Sequence, residues 1–121
     1  AIFIHPTEAA HGDMALLDGD DALLVLSRSG MAEEIRPLLK FALENGILSV
    51  LISENRKSGL AVCVDVVVKL PKIDEAWGHA PTTSTTMQMA IGDAIAVSLA
   101  SRHGWTAEDF ARHHPGGALG R

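Results

Sequence analysis

The sequence predicts an α/β domain with a largely parallel β-sheet. Short apolar runs alternate along the chain with segments that have helical features, which is the pattern of strands joined by crossover helices. Of the 121 residues, 47% are hydrophobic, and a chain this apolar is not expected to be disordered. Ala, Val, Leu and Ile are common whereas aromatic residues make up only 4%, which favours one core of aliphatic side chains.

Four apolar runs predict four strands. They cover residues 1–4, 22–26, 47–52 and 66–70. Each run is continuous rather than alternating with polar residues, as is typical of strands that are covered on both faces of a sheet. The first run ends at His5 and is apolar enough to be a central strand.

Apolar spacing predicts three helices after these strands. The first covers residues 32–44, because its apolar side chains recur at the i, i+3, i+4 and i+7 positions of one face. Those side chains are Ile35, Leu38, Leu39 and Ala42. A short helix is expected over residues 58–64, and the longest helix over residues 82–103, where Gly104 ends it.

The C-terminal stretch predicts one more helix. Thr106, followed three residues later by Asp109, has the pattern of a capping box, which places a helix over residues 107–113. Pro115 stops that helix and is expected to hold the backbone of His114 extended. An imidazole at a helix end beside two glycines suits acid–base chemistry, although a surface histidine is the commoner interpretation of this local pattern.

Charge and composition exclude several classes of protein. The formal net charge is −5 and there is no basic run, so nonspecific nucleic-acid binding is not expected. The single cysteine, Cys63, allows no internal disulfide and fits a reducing compartment. No apolar stretch approaches the roughly 20 residues of a membrane span, and no signal peptide is visible. The sequence therefore predicts a soluble, cytoplasmic protein with no membrane partner.

Two hydroxyl-rich segments are candidate phosphate sites. The serine turn (residues 27–30, Ser-Arg-Ser-Gly) follows a predicted strand and opens a helix, so its N–H groups and the hydroxyls of Ser27 and Ser29 would face an anion. It matches neither a Walker loop nor a Gly-x-Gly-x-x-Gly loop, and capping by serine explains it equally well. Residues 82–86 carry five hydroxyls. One would cap the helix, and Thr82, Ser84 and Thr85 are candidates for binding phosphate or sugar hydroxyls; the alternative is a surface turn.

Carboxylates and histidines supply the candidates for proton transfer. Glu34 follows the serine turn and Glu75 precedes the hydroxyl-rich segment, so the two could act as acid and base. The alternative for Glu34 is that it complements a helix dipole. The spacing of the histidines is not that of a structural zinc site. Adventitious or inhibitory binding of a divalent metal remains open.

Taken together, these stretches resemble one family. In chain order the motifs are residues 5–13 (His-Pro-Thr-Glu-Ala-Ala-His-Gly-Asp), the serine turn with Glu34, residues 80–86 (Ala-Pro-Thr-Thr-Ser-Thr-Thr), residues 92–94 (Gly-Asp-Ala), residues 109–111 (Asp-Phe-Ala) and residues 114–121 (His-Pro-Gly-Gly-Ala-Leu-Gly-Arg). Their order and spacing resemble the sugar-isomerase (SIS) domain of the arabinose-5-phosphate isomerase family across essentially the whole chain.

The resemblance implies a fold, an activity and an assembly. The implied fold is a three-layer α/β sandwich with a flavodoxin-like, five-stranded parallel sheet. The implied reaction interconverts D-arabinose 5-phosphate and D-ribulose 5-phosphate through a cis-enediol, at the entry to Kdo for lipopolysaccharide or capsule. The implied assembly is a tetramer with active sites shared between subunits. No cofactor is required.

The resemblance also implies roles for particular residues. The implied catalytic residues are Glu34, Glu75 and His114, with a glutamate moving the carbon proton and the histidine handling ring opening or oxygen protons. The implied substrate contacts are His11, Ser27 and Ser29, and His5 is an implied site for an inhibitory divalent metal such as zinc.

The sequence departs from the family pattern in several places. The family's first strand and its Gly-Lys-Ser-Gly loop would precede Ala1, the loop after Glu75 is about two residues short, and no CBS domains follow. Met31 and Ala32 stand where related domains carry an acidic and a hydroxyl residue. The expectation is therefore a single SIS domain over residues 1–121, truncated at both ends. Two alternatives are a noncatalytic SIS module that binds a phosphosugar and regulates, and a domain for another sugar phosphate.

Overall fold

The computed structural model, in which residues 1–118 are described, contains one parallel three-stranded sheet. Its strands are β1 (Ala22–Leu26), β2 (Leu48–Ser53) and β3 (Val66–Lys69), in the order β1-β2-β3. Leu24 pairs with Val50, which in turn pairs with Val66. Because all three strands run in the same direction, their carboxyl ends lie at one edge of the sheet, where ligands bind in open α/β folds.

Within residues 1–118 the chain forms four α-helices. They are α1 (Pro6–Ala9), α2 (Arg36–Glu44), α3 (Thr83–Arg102) and α4 (Ala107–His113). Short 3-10 turns cover Asp13–Leu16, Glu33–Ile35 and Ala61–Cys63. The chain divides into two compact units, Ala1–Ser84 and Thr85–Arg121, so the first two residues of α3 belong to the unit that holds the sheet. Within residues 1–118, no helix combines the length and the apolarity needed to cross a bilayer.

Helix α2 covers one face of the sheet. Its side chains Leu39 and Ala42 are at most 1% exposed and belong to the same cluster as Leu23, Val25 and Leu51 of β1 and β2. The predicted apolar face of this helix is therefore confirmed. The helix itself begins later than predicted, at Arg36, after the 3-10 turn that includes Glu34. Pro37 lies in its first turn, where a missing N–H leaves no intrahelical bond unmade.

The predicted strand over residues 1–4 is wrong. Ile2 and Phe3 are 65% and 86% exposed, and no strand is formed there. This segment and β1 line the same cavity of about 340 Å³, but within residues 1–118 the sheet consists of β1, β2 and β3 only. A strand exists only where its N–H and C=O groups find partners on a neighbouring strand. The described sheet therefore has three strands, rather than the four predicted from the sequence or the five implied by the resemblance.

The prediction that the strands are covered on both faces is also wrong for β1. The face opposite α2 includes Leu24, Leu26 and Leu48, which are 44%, 52% and 49% exposed. Alternate side chains of a strand point to opposite faces, and burial in β1 alternates accordingly.

Of the other three predicted helices, two form with nearly the predicted bounds and one does not form. Helix α3 was expected over residues 82–103 and forms over Thr83–Arg102, while α4 has the predicted bounds Ala107–His113. Residues 58–64 form only the 3-10 turn Ala61–Cys63.

Candidate functional site

The serine turn lies at the carboxyl end of β1 and is held by backbone hydrogen bonds. Ser27 N donates to Ile52 O at 3.2 Å, and Glu54 N donates to Arg28 O at 3.0 Å. Gly30 has a positive φ of 68°, and its carbonyl accepts from Leu60 N at 3.0 Å. These bonds fix the turn against the ends of the neighbouring segments, as a preformed anion site requires.

The hydroxyls of the serine turn have different surroundings. Ser29 is exposed, and its Oγ accepts from Met31 N at 3.3 Å, which is a bond within the turn. The helical segments that follow have Ala32 and Ile35 as N-caps, without a side-chain hydrogen bond, so neither serine of the turn caps a helix. Ser27 is half-buried. A third hydroxyl, on Ser53, donates to Arg28 O at 2.9 Å and supports the turn from β2.

Glu75 lies at the N-terminus of α3. Its Oε2 accepts from Thr82 N at 2.9 Å and from Ser84 N at 3.1 Å, and Thr82 Oγ1 is 3.2 Å away. The first N–H groups of a helix have no partner within the helix, and here the carboxylate provides one. Its Oε1 accepts from Arg28 Nη1 at 2.6 Å, and the side chain is only 6% exposed. The fold therefore brings Glu75, Thr82, Ser84 and the serine turn together at one edge of the sheet.

These contacts keep Glu75 ionised. The hydroxyl of Ser84, the backbone N–H of Thr82 and, as a smaller contribution, the charge of Arg28 lower the pKa of the Glu75 carboxyl to about 2. A carboxylate is stabilised when donors and a cation face its charged form. At neutral pH the Glu75 carboxylate therefore accepts hydrogen bonds. Its pKa rises, and it becomes a stronger base, when one of these donors moves away.

The low pKa of Glu75 predicts a loss of stability in acid. The usual pKa of a glutamate is near 4.5, so the stabilisation is complete above that pH and is lost as pH falls from about 4.5 towards 2. We expect Glu75→Gln to flatten the dependence of the unfolding free energy on pH in this window, measured by urea unfolding at several pH values. Glu44→Gln, at an exposed carboxyl on α2, is the matched control. Parallel curves for wild type and Glu75→Gln would contradict the prediction.

Arg28 is a residue of this site that sequence reasoning missed. Its Nε donates to Glu54 Oε1 at 2.8 Å and its Nη2 donates to Ile73 O at 2.7 Å, in addition to the bond with Glu75. The available signal was the placement of opposite charges: one arginine follows β1, one glutamate follows β2 and another follows β3. Neighbouring parallel strands bring such residues to the same edge.

Glu34 and His11 occupy exposed positions in the same unit. Glu34 lies in the 3-10 turn Glu33–Ile35, where its neighbour Glu33 pairs with Arg36. His11 follows α1 and is exposed. The described contacts do not bring either of them to Glu75, so their predicted roles stay predictions.

His5 caps α1. Its Nδ1 accepts from Thr7 N at 3.3 Å, which is a structural role for the ring nitrogen. In the part of the chain that the structure describes, no three His, Cys, Asp or Glu side chains are grouped as ligands of one metal ion. Inhibitory zinc binding at His5 stays a prediction.

His114 and Thr85 belong to the second unit. Thr85 is exposed on α3. Helix α4 has the predicted capping box: Asp109 N donates to Thr106 Oγ1 at 3.2 Å, and Thr106 N donates to Asp109 Oδ2 at 2.9 Å. The helix ends before Pro115 as predicted. Residues 119–121 of the last family motif lie outside the described residues.

The prediction of an extended backbone at His114 is wrong. Its φ and ψ are −127° and 52°, because its N–H still donates to Ala111 O at 3.0 Å. Its ring stacks on Phe110 with centroids 3.9 Å apart, and Nδ1 is 2.9 Å from Phe110 O. A carbonyl oxygen only accepts, so Nδ1 carries the proton and Nε2 of the neutral ring is left as the base.

Comparisons with known proteins agree on one family. The family model described as SIS domain matches residues 1–98. The chain is 45% identical to arabinose 5-phosphate isomerase KdsD of Pseudomonas aeruginosa and 42% identical to arabinose 5-phosphate isomerase KpsF of Escherichia coli, covering 100% of this chain and 38% and 39% of those proteins. The chain thus spans less than half the length of these curated relatives.

A solved structure is similar over nearly the whole chain. The E. coli CFT073 protein c3406, solved in complex with arabinose 5-phosphate, superposes with a TM-score of 0.87 at 33% identity. The match covers 94% of this chain and 62% of that one. The parallel α/β fold described above is therefore that of a solved phosphosugar-binding relative.

Proposed function

Because this chain belongs to the SIS domain family, we propose that the protein interconverts D-arabinose 5-phosphate and D-ribulose 5-phosphate. One observation carries the proposal: the Glu75 carboxylate, the N-terminus of α3 and the serine turn meet at the carboxyl edge of the sheet. That edge is where ligands bind in this class of fold. Relatives named arabinose 5-phosphate isomerase, 45% and 42% identical, support the choice of substrate.

The phosphate would bind at the serine turn. Ser27 and Ser29 offer hydroxyls, and the turn precedes the helical segment that leads into α2. Hydroxyls of Thr82, Ser84 and Thr85 are candidates for the sugar hydroxyls, with His11 as a further contact. A phosphate fixed at one end positions the carbon chain, and such positioning lowers the barrier by removing orientational freedom before reaction.

Proton transfer would run through a cis-enediol. A base removes the proton on C2 of the open aldose and returns a proton to C1, while the proton of the C2 hydroxyl leaves and the C1 carbonyl oxygen gains one. We assign the carbon proton to Glu75 in preference to Glu34, because Glu75 contacts both the serine turn and α3. His114, with Nε2 available as a base, would open the ring or move the oxygen protons, across a subunit interface in the proposed tetramer.

The proposal extends to the cellular setting. We propose a cytoplasmic protein that acts without a required cofactor and whose product enters the synthesis of Kdo for lipopolysaccharide or capsule.

Zinc bound at His5 would inhibit the isomerase. His5→Ala should then weaken inhibition by added zinc, measured as the zinc concentration that halves the rate.

The decisive test uses the full-length protein and arabinose 5-phosphate in deuterated water. With a chelator present, NMR follows deuterium exchange at C2 and the appearance of ribulose 5-phosphate. Exchange together with product supports the isomerase. Binding of the sugar phosphate without exchange or product would favour the noncatalytic regulatory module, and absence of binding would point to another sugar phosphate.

A further inference from the structure

We propose that Arg28 is a positioning residue, which locks the Glu75 carboxylate and its loop onto the serine turn. The inference rests on the proposed function in so far as Glu75 is the base of the isomerase. It concerns a residue that is not itself placed on the reacting atoms. Its basis is the set of hydrogen bonds that the guanidinium makes in the first unit.

The guanidinium joins the segments that follow all three strands. Arg28 itself follows β1, its Nε donates to Glu54 after β2 at 2.8 Å, and its Nη1 donates to Glu75 after β3 at 2.6 Å. Its Nη2 donates to Ile73 O at 2.7 Å, so the backbone of the Glu75 loop is held as well as its side chain. Carboxylates that lie 26 and 47 positions further along the chain are thereby tied to the serine turn.

Arginine suits this position better than lysine. A guanidinium presents five N–H donors in a rigid planar fork, whereas an ammonium is a point charge on a flexible stem. Three of the five donors bind three acceptors here. The Glu54 side chain is 14% exposed and the Glu75 side chain 6%, while that of Arg28 is 37% exposed. The carboxylates are thus shielded from water, and the arginine is their shared cation.

The charges around Glu75 show what the loss of Arg28 would do. On one side Glu75 faces Arg28, and on the other it faces the N–H groups of Thr82 and Ser84 at the start of α3. Glu54 and Asp74 add negative charge near Arg28. Removing the guanidinium would leave these carboxylates without their shared cation. Glu75 would then become a stronger base, and its Oε1 would lose the bond from Arg28 while Oε2 kept its bonds at the start of α3.

The test compares Arg28→Gln, Arg28→Lys and Arg56→Gln in the full-length protein. Arg56 is an exposed arginine in the same unit and controls for loss of one positive charge. We expect Arg28→Gln to lower kcat by about 10- to 100-fold, because small displacements of a reacting group cost this much, and to move the acidic limb of the kcat/KM profile to higher pH. Arg28→Lys should leave the acidic limb of the kcat/KM profile at its wild-type pH, because the positive charge is kept, but kcat should still be lowered. Arg56→Gln should change neither.

A second readout does not depend on activity. Titration of carboxyl resonances in protein labelled with 13C-glutamate, assigned through Glu75→Gln, gives the pKa of Glu75 directly. We expect this pKa to rise in Arg28→Gln and to stay unchanged in Arg56→Gln. If wild type binds no arabinose 5-phosphate, the proposed function fails, and this titration still decides the role of Arg28.

A purely structural role would give a different result. If Arg28→Gln lowered only the melting temperature, with kcat, the acidic limb and the Glu75 titration all at wild-type values, the proposal would be overturned. Should that variant fail to fold, Glu54→Gln frees one side of the guanidinium and is expected to lower kcat in the same direction by a smaller factor. An unchanged kcat in both Glu54→Gln and Arg28→Lys would also overturn the proposal.

Discussion

Glu75→Gln is expected to lower kcat for arabinose 5-phosphate by about 100-fold or more. The substitution keeps the size of the side chain but removes the group that accepts the carbon proton, and general-base catalysis contributes roughly 10²–10⁴-fold. The measurement is C2 exchange in deuterated water together with kcat and kcat/KM of the full-length protein. Exchange should fall in parallel with product, because both depend on the same proton transfer.

The same variant needs a control for structure, since Glu75 also accepts from Thr82 and Ser84 at the start of α3. Helix content and the urea midpoint at neutral pH separate loss of the base from loss of the helix start. Glu34→Gln is the matched comparison, because Glu34 is the other candidate base and is exposed. A wild-type rate in Glu75→Gln combined with a large loss in Glu34→Gln would reverse our assignment.

Gly30→Ala is expected to lower the free energy of unfolding by more than about 2 kcal/mol, and the serine turn should lose its shape. Gly30 has φ of 68°, where a side chain is strained, and an added Cβ would collide with the side chain of Ser58 and lie 3.3 Å from Ser53 Oγ. Strain of this kind costs about 1–3 kcal/mol before any collision is counted, and overpacking adds to it. Urea unfolding measures the sum.

Gly46→Ala separates the cost of backbone strain from the cost of the collision with Ser58. Gly46 has the same φ of 68° but open space around its position, so this variant carries the backbone strain alone. We expect Gly30→Ala to be the more destabilising by at least about 1 kcal/mol. Ser58→Gly should recover part of the loss in the double variant. If Gly30→Ala and Gly46→Ala lowered the free energy of unfolding equally, the Ser58 side chain would have to move aside without an energetic cost, which would contradict the prediction.

Local chemistry made part of the structure predictable. The capping box of Thr106 and Asp109, followed by Pro115, acts within one helical turn, so the bounds of α4 could be read from neighbouring residues. The apolar face of α2 likewise follows from spacing along one helix. The candidate site was predictable in composition, because Glu75, Ser27 and Thr82 lie at the ends of predicted elements, and ligands bind there in parallel sheets.

The residues themselves determined the parallel α/β order, the positions of α3 and α4, and the motifs that identify the SIS family. Tertiary structure alone decided whether residues 1–4 formed a strand, because a strand needs a paired neighbour, and within residues 1–118 the sheet consists of β1, β2 and β3. It also decided that Arg28 binds Glu75, 47 positions away. No spacing rule reaches that far, since such a contact exists only once β1, β2 and β3 have brought their ends together.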